Sequence, residues 1–367
     1  MITNSRATSR WWRWPAWFFL TGSLVGMLLL QKWANDPWRV DSIYSKRFWL
    51  VWSRFWSGVF DWIPVSVGDL LYAVFLISLI AFGWKIAQSL VRKKWLIASR
   101  VGLNLLATLT TVYVLFMVSW GLNYHRPLML QHFTLETVPP NLPHLLEVLT
   151  YHLEAAERIY PEAVKARATS DFEKVRLETH RAFERQSELS EVLIGSNTQL
   201  KAPIYSKGMS YLGVSGYFNP FTQEAHVNTD QPAVSIPFTA CHELAHKMGV
   251  GFEDEANLIG YILTSSSDNP YFQYSGHLNV LWMLMNELYV SAPEVYFYYL
   301  NQMPEGILED TAEIQSYWEA HTGWLNSLTT LFYTWFLKAN QQPEGMDRYN
   351  RMVDLLLSWH FRHLSCG

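Results

Sequence analysis

Two histidines four positions apart are the residues best suited to chemistry in this 367-residue chain. His242 and His246 enclose Glu243 in the pattern HExxH. On an α-helix, residues four apart share a face, so both imidazoles can bind one Zn²⁺ ion. Glu243 follows His242 directly, where it can reach a metal-bound water without being a ligand and can act as general base. The motif therefore predicts a site with one zinc ion per chain and one catalytic carboxylate.

A third ligand is expected from the acidic cluster that follows the motif. Two glycines end the motif helix, and a fold-back there brings the start of the next helix close to the motif histidines. Glu253 and Glu255 both lie at that start, and either carboxylate completes a His₂Glu site with one open position. Asn257 lies four residues after Glu253, on the same face, where its carbonyl can bind the second nitrogen of a ligand histidine. This pairing favours Glu253 over Glu255.

The composition indicates contact with a bilayer and argues against nucleic acid. Hydrophobic residues make up 50% of the chain, and 18 residues are tryptophan, which favours the membrane interface. Charged residues make up 16%, against roughly 25% in a typical soluble protein. The formal net charge is −4, and no basic stripe indicates a nucleic-acid partner. Cys241 and Cys366 are far apart and lack metal-type spacing, so no disulfide framework is expected.

Three apolar runs predict transmembrane helices at about residues 14–33, 67–86 and 101–122. The first run is long for a signal peptide and lacks a small-residue cleavage site, so we expect it to remain as an anchor. Residues 42–62, between the first two runs, are aromatic and basic and too polar to cross. They are predicted to form either an amphipathic helix on the membrane surface or an ordinary packed helix.

Basic residues determine the expected orientation. Arginines precede the first run, and four basic residues lie at positions 92–100 between the second and third runs. Both groups are expected in the cytoplasm, although the loop between the first two runs is basic as well. Three spans then place the rest of the chain outside the cytoplasm. We predict a multi-pass cell-membrane protein with a membrane domain over residues 1–123 and an extracytoplasmic domain over residues 124–367.

The predicted outer domain is mainly helical. Amphipathic helical patterns cover residues 145–160 and 171–193, and a stretch rich in Gly, Asn and aromatics follows at 207–228, typical of turns and short strands. The motif helix and a second helix from about Phe252 come next. Further helical patterns cover residues 277–300, 311–339 and 347–360. The predicted fold class is a mainly α membrane protein whose outer domain is α+β, with a small antiparallel sheet.

The motifs also carry a family resemblance. HExxH followed by ExxA[ND], here from Glu253 to Asn257, is similar to the glutamate-zincin peptidases, which implies Glu253 as the third ligand. Asn257 stands where many members have aspartate, which weakens that supporting position. The stretches WGLNYHRP, GYFNPFTQEAHVN, CHELAHKMGVGFEDEANLIGY and PEGMDRYNRMVDLLL resemble an uncharacterised bacterial family, domain of unknown function 3810 (DUF3810). That resemblance implies an outward, zincin-like metallopeptidase domain and names no substrate.

Other side chains are weaker candidates for the site. In zincins an edge strand beside the active-site helix binds the substrate backbone, and residues 222–228 are the candidate strand here, with a purely structural strand as the alternative. His226 is a candidate site residue. Possible oxyanion stabilisers are Tyr217, Tyr261, Arg348 and Tyr349. Packing or surface roles are the ordinary alternative for each.

These features predict a membrane-anchored zinc metallopeptidase that hydrolyses an extracytoplasmic peptide or protein with zinc-activated water. Its expected partners are that substrate and the lipid bilayer. One alternative is a metal-binding or sensor membrane protein that keeps the fold without catalysis. Another is a structural membrane protein with an accidental HExxH. An intramembrane protease is disfavoured because Lys247 and the acidic cluster directly follow the motif.

Overall fold

Helices form most of the structure. A computed structural model describes residues 15–133, 140–186, 192–195, 197–340 and 349–364, with positions 138 and 189. The first helices, in chain order, are α1 Ala16–Trp33, α2 Pro37–Arg39, a π-helix Val40–Trp49, α3 Leu50–Phe60, α4 Val67–Val91, α5 Trp95–Ser119, α6 Met129–His132, α7 Leu142–Ala168 and α8 Phe172–Arg185. The later ones are α9 Ser206–Tyr211, α10 Ile236–Lys247, α11 Glu253–Ser265, α12 Pro270–Ser291, α13 Pro293–Leu300, α14 Glu305–His321, α15 Trp324–Ala339 and α16 Tyr349–Leu364. The prediction of a mainly helical protein is confirmed.

The chain divides into two compact units. One contains residues 1–35 and 70–118, and the other contains residues 36–69 and 119–367. Within the described part of the first unit lie α1, most of α4, and α5. Of the described helices, α4 and α5 are long and apolar enough to cross a membrane. Two of the three predicted spans therefore correspond to helices of membrane-crossing length, and the span at 14–33 stays a prediction.

The segment between the first two predicted spans packs into the second unit. Trp49, at the end of the π-helix, is fully buried, whereas Val51 and Phe55 of α3 are exposed. Asp41 of the π-helix forms a buried ion pair at 2.9 Å with Arg126, which follows α5. Part of this segment is thus a packed helix, one of the two predicted alternatives. This segment packs against residues that follow the predicted spans, since basic partners of its carboxylates, such as Arg126, lie in that later part of the chain.

A second buried ion pair joins this segment to the motif helix. Lys247, the last residue of α10, donates to Asp61 at 2.9 Å and to the Gln199 carbonyl at 2.9 Å. Nearby, Lys201 pairs with Glu224, which also accepts from the backbone of Gly68 at the start of α4. Removing one partner of such a buried pair is costly because it leaves the other charge without compensation.

Capping residues and prolines explain where several helices begin and end. Asn141, Asp171 and Asn269 accept backbone N–H bonds at the starts of α7, α8 and α12. The helices predicted at 277–300 and 311–339 are each interrupted. Pro293, which lacks an N–H, begins α13 and separates it from α12. Extended backbone at 322–323 separates α14 from α15.

The small sheet has the strand order β1-β3-β2, with β1 Leu200–Lys201, β2 Gly216–Asn219 and β3 Glu224–Val227. β2 and β3 are antiparallel, but β1 is parallel to β3. The prediction of an antiparallel sheet is therefore wrong in this respect, because the chain crosses over through α9 between β1 and β2. The predicted substrate strand at 222–228 contains β3, which is paired on both sides. Among the described residues, β1 and β2 are the edge strands, each with one unpaired side.

Candidate metal centre

The motif lies on α10, and the chain turns back directly after it. Pro237 occupies the first turn of α10, where its missing N–H costs no hydrogen bond. Gly249 has a φ of +95°, and a Cβ there would lie 3.0 Å from the ring of Trp49. Only glycine adopts this conformation without strain. The turn allows α11 to begin at Glu253, beside the C-terminal end of α10.

Three potential ligands converge where the two helices meet. The Nε2 atoms of His242 and His246 are 3.2 Å apart. The carboxylate of Glu253 lies 3.4 Å from His242 Nε2 and 3.5 Å from His246 Nε2. Ligand atoms around a tetrahedral zinc ion with bonds near 2.0–2.1 Å are separated by roughly 3.3 Å. The spacing of these three side chains therefore fits one such ion.

The hydrogen bonds of His246 leave its ligand nitrogen free to coordinate. Its Nδ1 lies 2.8 Å from the carbonyl oxygen of Val250. A carbonyl only accepts, so Nδ1 carries a proton, and Nε2, which faces Glu253, is the nitrogen that a cation can bind in place of a proton. Asn257 was the predicted partner for a ligand histidine, but it bonds neither of them. Within the described structure, His242 Nδ1 and Asn257 Nδ2 are both buried without a hydrogen-bond partner.

The charges of the site favour a bound cation. Burial by itself lowers the pKa of His246, but the Glu253 carboxylate outweighs this and raises it to about 9. Burial raises the pKa of Glu253, yet the two histidines reverse that effect and hold it well below its usual range. The chain itself thus stabilises positive charge between these three side chains, which is the electrostatic requirement for a divalent metal.

Glu243 lies beside this group in a different environment. Its side chain is buried, and its Oε2 atom has no hydrogen-bond partner in the described structure. Burial raises the pKa of Glu243 to about 7, although the two neighbouring histidines oppose the increase. A carboxyl group with a pKa near 7 can both accept and donate a proton at neutral pH.

β2 passes directly beside Glu243. A Cβ at Gly216 would lie 2.6 Å from both Cγ and Oε1 of Glu243, so no larger residue fits there without displacing the carboxylate. Glycine in a strand often marks such a close approach. The glycine in this strand was the sequence feature that could have indicated the contact with Glu243. The spacing of the HExxH motif alone does not reveal the contact.

Two aromatic residues that the sequence did not predict also contact the site. Tyr333 of α15 donates to Glu253 Oε1 at 2.6 Å. Trp120 donates its indole N–H to the His246 carbonyl at 3.1 Å. Tyr333 is eighty positions from its partner and belongs to no motif, so only the tertiary structure brings them together. Trp120 lies in the WGLNYHRP stretch, which the sequence singled out without assigning it a role.

The rival ligand Glu255 lies outside the group. Its buried carboxylate accepts the backbone N–H of Met129 at 2.6 Å, at the start of α6. Among the described residues, the set of three side chains with suitable ligand atoms is His242, His246 and Glu253. The structure therefore brings Glu253, and not Glu255, next to the histidines.

The weaker candidate site residues either lie outside the ligand group or fall outside the described residues. Tyr217 donates to Asp69, and its ring stacks on His226 at 4.3 Å. Both ring nitrogens of His226 are buried without a partner among the described residues, and burial lowers its pKa to about 4. Tyr261 belongs to a second histidine group. Arg348 and the side chain of Tyr349 lie outside the described residues.

That second group lies between α7, α12 and α16. The Nδ1 atoms of His152 and His277 are 2.9 Å apart, and the ring of His360 lies 6.5 Å from that of His152. Tyr261 packs against His152 with ring centroids 5.0 Å apart. Burial lowers the pKa of His277 to about 4 and that of His152 well below its usual range. The imidazoles of His152 and His277 are therefore neutral at physiological pH.

The comparisons with known proteins give a family and no activity. No curated protein and no solved structure matches this chain. Residues 44–357 match the family described as "Protein of unknown function (DUF3810)". The matched range includes the ligand group, Glu243 and β2. Because it covers most of the sequence, the chain belongs to the DUF3810 family, as its motifs predicted.

Proposed function

We propose that this protein is a membrane-anchored zinc metallopeptidase that hydrolyses a peptide or protein outside the cytoplasm. The observation that supports it best is the convergence of His242, His246 and Glu253 beside the buried carboxylate of Glu243. Metal ligands next to a protonatable carboxylate are the parts that metal-assisted hydrolysis needs. The outer domain is proposed to have a zincin-like fold.

The donor set suits zinc on chemical grounds. Two imidazoles and one carboxylate form the ligand set of several catalytic zinc sites, which leave a fourth position open. His246 would present an Nε2 lone pair, because its Nδ1 is bonded to Val250. When bound in such a site, zinc polarises a substrate carbonyl and lowers the pKa of water towards about 7.

Glu243 would move the proton during hydrolysis. Its carboxylate accepts a proton from the attacking water and donates it to the leaving amine nitrogen as the peptide bond breaks. Burial favours this exchange because it raises the pKa of the carboxyl group towards neutrality. Tyr333 would hold the Glu253 carboxylate in place through its hydrogen bond to Oε1.

β2 is the proposed binding strand for the substrate backbone. Within the described residues it pairs with β3 on one side only, so its other edge can add an extended peptide by backbone hydrogen bonds. Gly216 places this strand next to Glu243. The proposed strand therefore differs from the one predicted at 222–228, which is interior to the sheet.

The proposed topology has three spans, including α1, with the larger unit outside the cytoplasm. Residues 36–69 and 119–367 pack into one unit, which supports placing both segments on the same side of the membrane in this proposal. Two crossings between them, α4 and α5, meet this requirement. The basic turn at 92–94 joins these two helices and favours the cytoplasmic side.

Replacing Glu243 with glutamine tests this function. The full-length protein in lipid nanodiscs is first screened for cleavage of a peptide library, and zinc per chain is measured by elemental analysis. We expect Glu243→Gln to lower the cleavage rate about 10²–10⁴-fold, because proton transfer is lost, and to leave zinc binding unchanged. Glu313→Gln, the same change at an exposed position of α14, serves as the control.

Two results would contradict the proposal. Equal cleavage by wild type and Glu243→Gln excludes Glu243 as the base. Zinc binding without cleavage of any peptide favours the alternative, a non-catalytic metal-binding or sensor membrane protein with the same site.

A further inference from the structure

One face of α15 carries a continuous row of exposed apolar side chains. The spacing of these residues, at i, i+4, i+7, i+8 and i+11, places them on one side of the helix. They are Trp324, Leu328, Leu331, Phe332 and Trp335, each between 57% and 75% exposed. We call this row the α15 stripe. Contiguous apolar surface of this kind is rare where a protein faces water and indicates a binding surface.

The opposite face of α15 is held against the larger unit, which fixes the direction of the stripe. Leu337 is 1% exposed. Tyr333 bonds Glu253, and the ring of Phe336 packs against Tyr124 with centroids 6.3 Å apart. A rotation that buried the stripe would break these contacts, so the stripe faces away from the core.

The neighbouring helix shows what a water-exposed helix of this protein looks like. α14 carries five acidic residues, namely Glu305, Glu309, Asp310, Glu313 and Glu319. α15 has none, and its one charged residue is Lys338 in the last turn. A helix with Trp, Phe and Leu on one face and no acidic residue suits the interface of a bilayer, where acyl chains cover the apolar side.

The short connection between α5 and Tyr124 limits how far α15 can lie from the proposed membrane span. Tyr124, which contacts Phe336, is five residues beyond Ser119, the last residue of α5. Five residues of extended chain span at most about 18 Å. If α5 crosses the membrane, the C-terminal part of α15 is therefore tethered close to the membrane surface.

We propose that α15 is an interfacial helix whose stripe lies in the lipid bilayer surface, next to the candidate metal centre. This inference rests on the proposed membrane anchoring and not on peptidase activity. The inference also places the candidate metal centre close to the membrane plane, because Tyr333 connects Glu253 to the helix proposed to contact lipid.

Lipid quenching of a fluorescent probe tests this placement. In a Cys366→Ser background, where the remaining Cys241 is buried, single cysteines carry the environment-sensitive label NBD. The test variants are Leu331→Cys and, independently, Leu328→Cys on the stripe. Val74→Cys, exposed on α4, is the membrane reference, and Ser316→Cys, exposed on α14, is the water reference. Each full-length protein is placed in phosphatidylcholine nanodiscs with or without doxyl-labelled lipid.

We expect doxyl lipid to quench the probes at 328, 331 and 74 roughly twofold or more over the probe at 316. Quenching at 74 without quenching at 328 and 331 overturns the inference and leaves the anchoring intact. An apolar emission shift at 331 without lipid quenching also overturns it, since protein, such as a second copy of the chain, then covers the stripe. Quenching at neither 74 nor the stripe overturns both the inference and the anchoring.

Discussion

Two closely spaced histidine pairs in the same unit each contain a buried imidazole whose pKa is shifted, and the two shifts have opposite directions. His242 and His246 lie 3.2 Å apart at Nε2, and the pKa of His246 is raised to about 9. His152 and His277 lie 2.9 Å apart at Nδ1, and the pKa of His277 is lowered to about 4. Burial and close imidazole contact are common to both groups, so neither explains the difference.

The difference comes mainly from one carboxylate. In the first group Glu253 lies within 3.5 Å of both rings and compensates positive charge. The second group has aromatic neighbours, including Tyr261, and the positive charge of Arg158 lowers the pKa of His277 further. A buried histidine pair therefore favours a cation only with an acid beside it, and otherwise forms neutral core packing.

Removing one histidine from each group tests this contrast with the largest expected effect. We expect His246→Ala to reduce zinc affinity by more than the roughly 10–100-fold cost of losing a residue that only holds a ligand. His277→Ala should retain one zinc per chain. Elemental analysis and competition with a chelator measure both. Equal zinc loss in the two variants, or no zinc in the wild type, contradicts the assignment.

The pH dependence of stability should report the second group. Below the unfolded histidine pKa of about 6.5, the unfolded chain binds protons that the folded His277 does not. Stability is therefore complete above about pH 6.5 and falls as the pH decreases towards 4. We expect His277 to contribute a loss of about 2 kcal/mol between pH 7 and pH 5.

Thermal unfolding in nanodiscs measures this effect. His277→Phe removes one titrating group, so its melting temperature should fall less between pH 7 and pH 5 than that of wild type. His180→Gln, at an exposed histidine of α8, is the control and should keep the wild-type slope. An unchanged slope in His277→Phe means that the folded and unfolded chains bind the same number of protons at His277 between pH 7 and pH 5, which contradicts a lowered pKa.

The smallest effect on zinc affinity is expected from removing the tyrosine hydroxyl beside each histidine group. Tyr333→Phe removes the hydrogen bond to Glu253 and should weaken zinc binding about 10-fold. Tyr261→Phe makes the same change beside His152 and should leave zinc affinity unaltered. Chelator titration of both variants gives the comparison. Equal affinities in the two variants indicate that Tyr333 does not support the ligand.

Local spacing predicted the parts of the site that one or two helices determine. Four-residue spacing put His242 and His246 on one face, and the glycine break brought Glu253 to them. The sequence left Glu253 and Glu255 in competition, since both lie in the same helical turn. The contact that separates them, from Glu255 to the Met129 backbone, links residues 126 positions apart.

Other contacts could not be predicted either, because they also join residues that are far apart in the sequence. His152 meets His277 across 125 positions, and Tyr333 meets Glu253 across 80. Neither contact has a sequence period or motif. The parallel pairing of β1 with β3 was missed because β1 has two residues, too few for an alternating pattern. The central position of β3 depends on that pairing.

The ion pairs of residues 36–69 determine when the larger unit can finish folding during synthesis. Asp41 and Asp61 are made early, but their partners Arg126 and Lys247 follow the α4–α5 hairpin. A ribosome adds roughly 5–20 residues per second, so about ten seconds or more separate the synthesis of Asp61 from that of its partner Lys247. The last charge that this loop needs is Lys247, the residue after His246. Helix α10 can therefore adopt its final position only after the segments before and after the α4–α5 hairpin have both been synthesised.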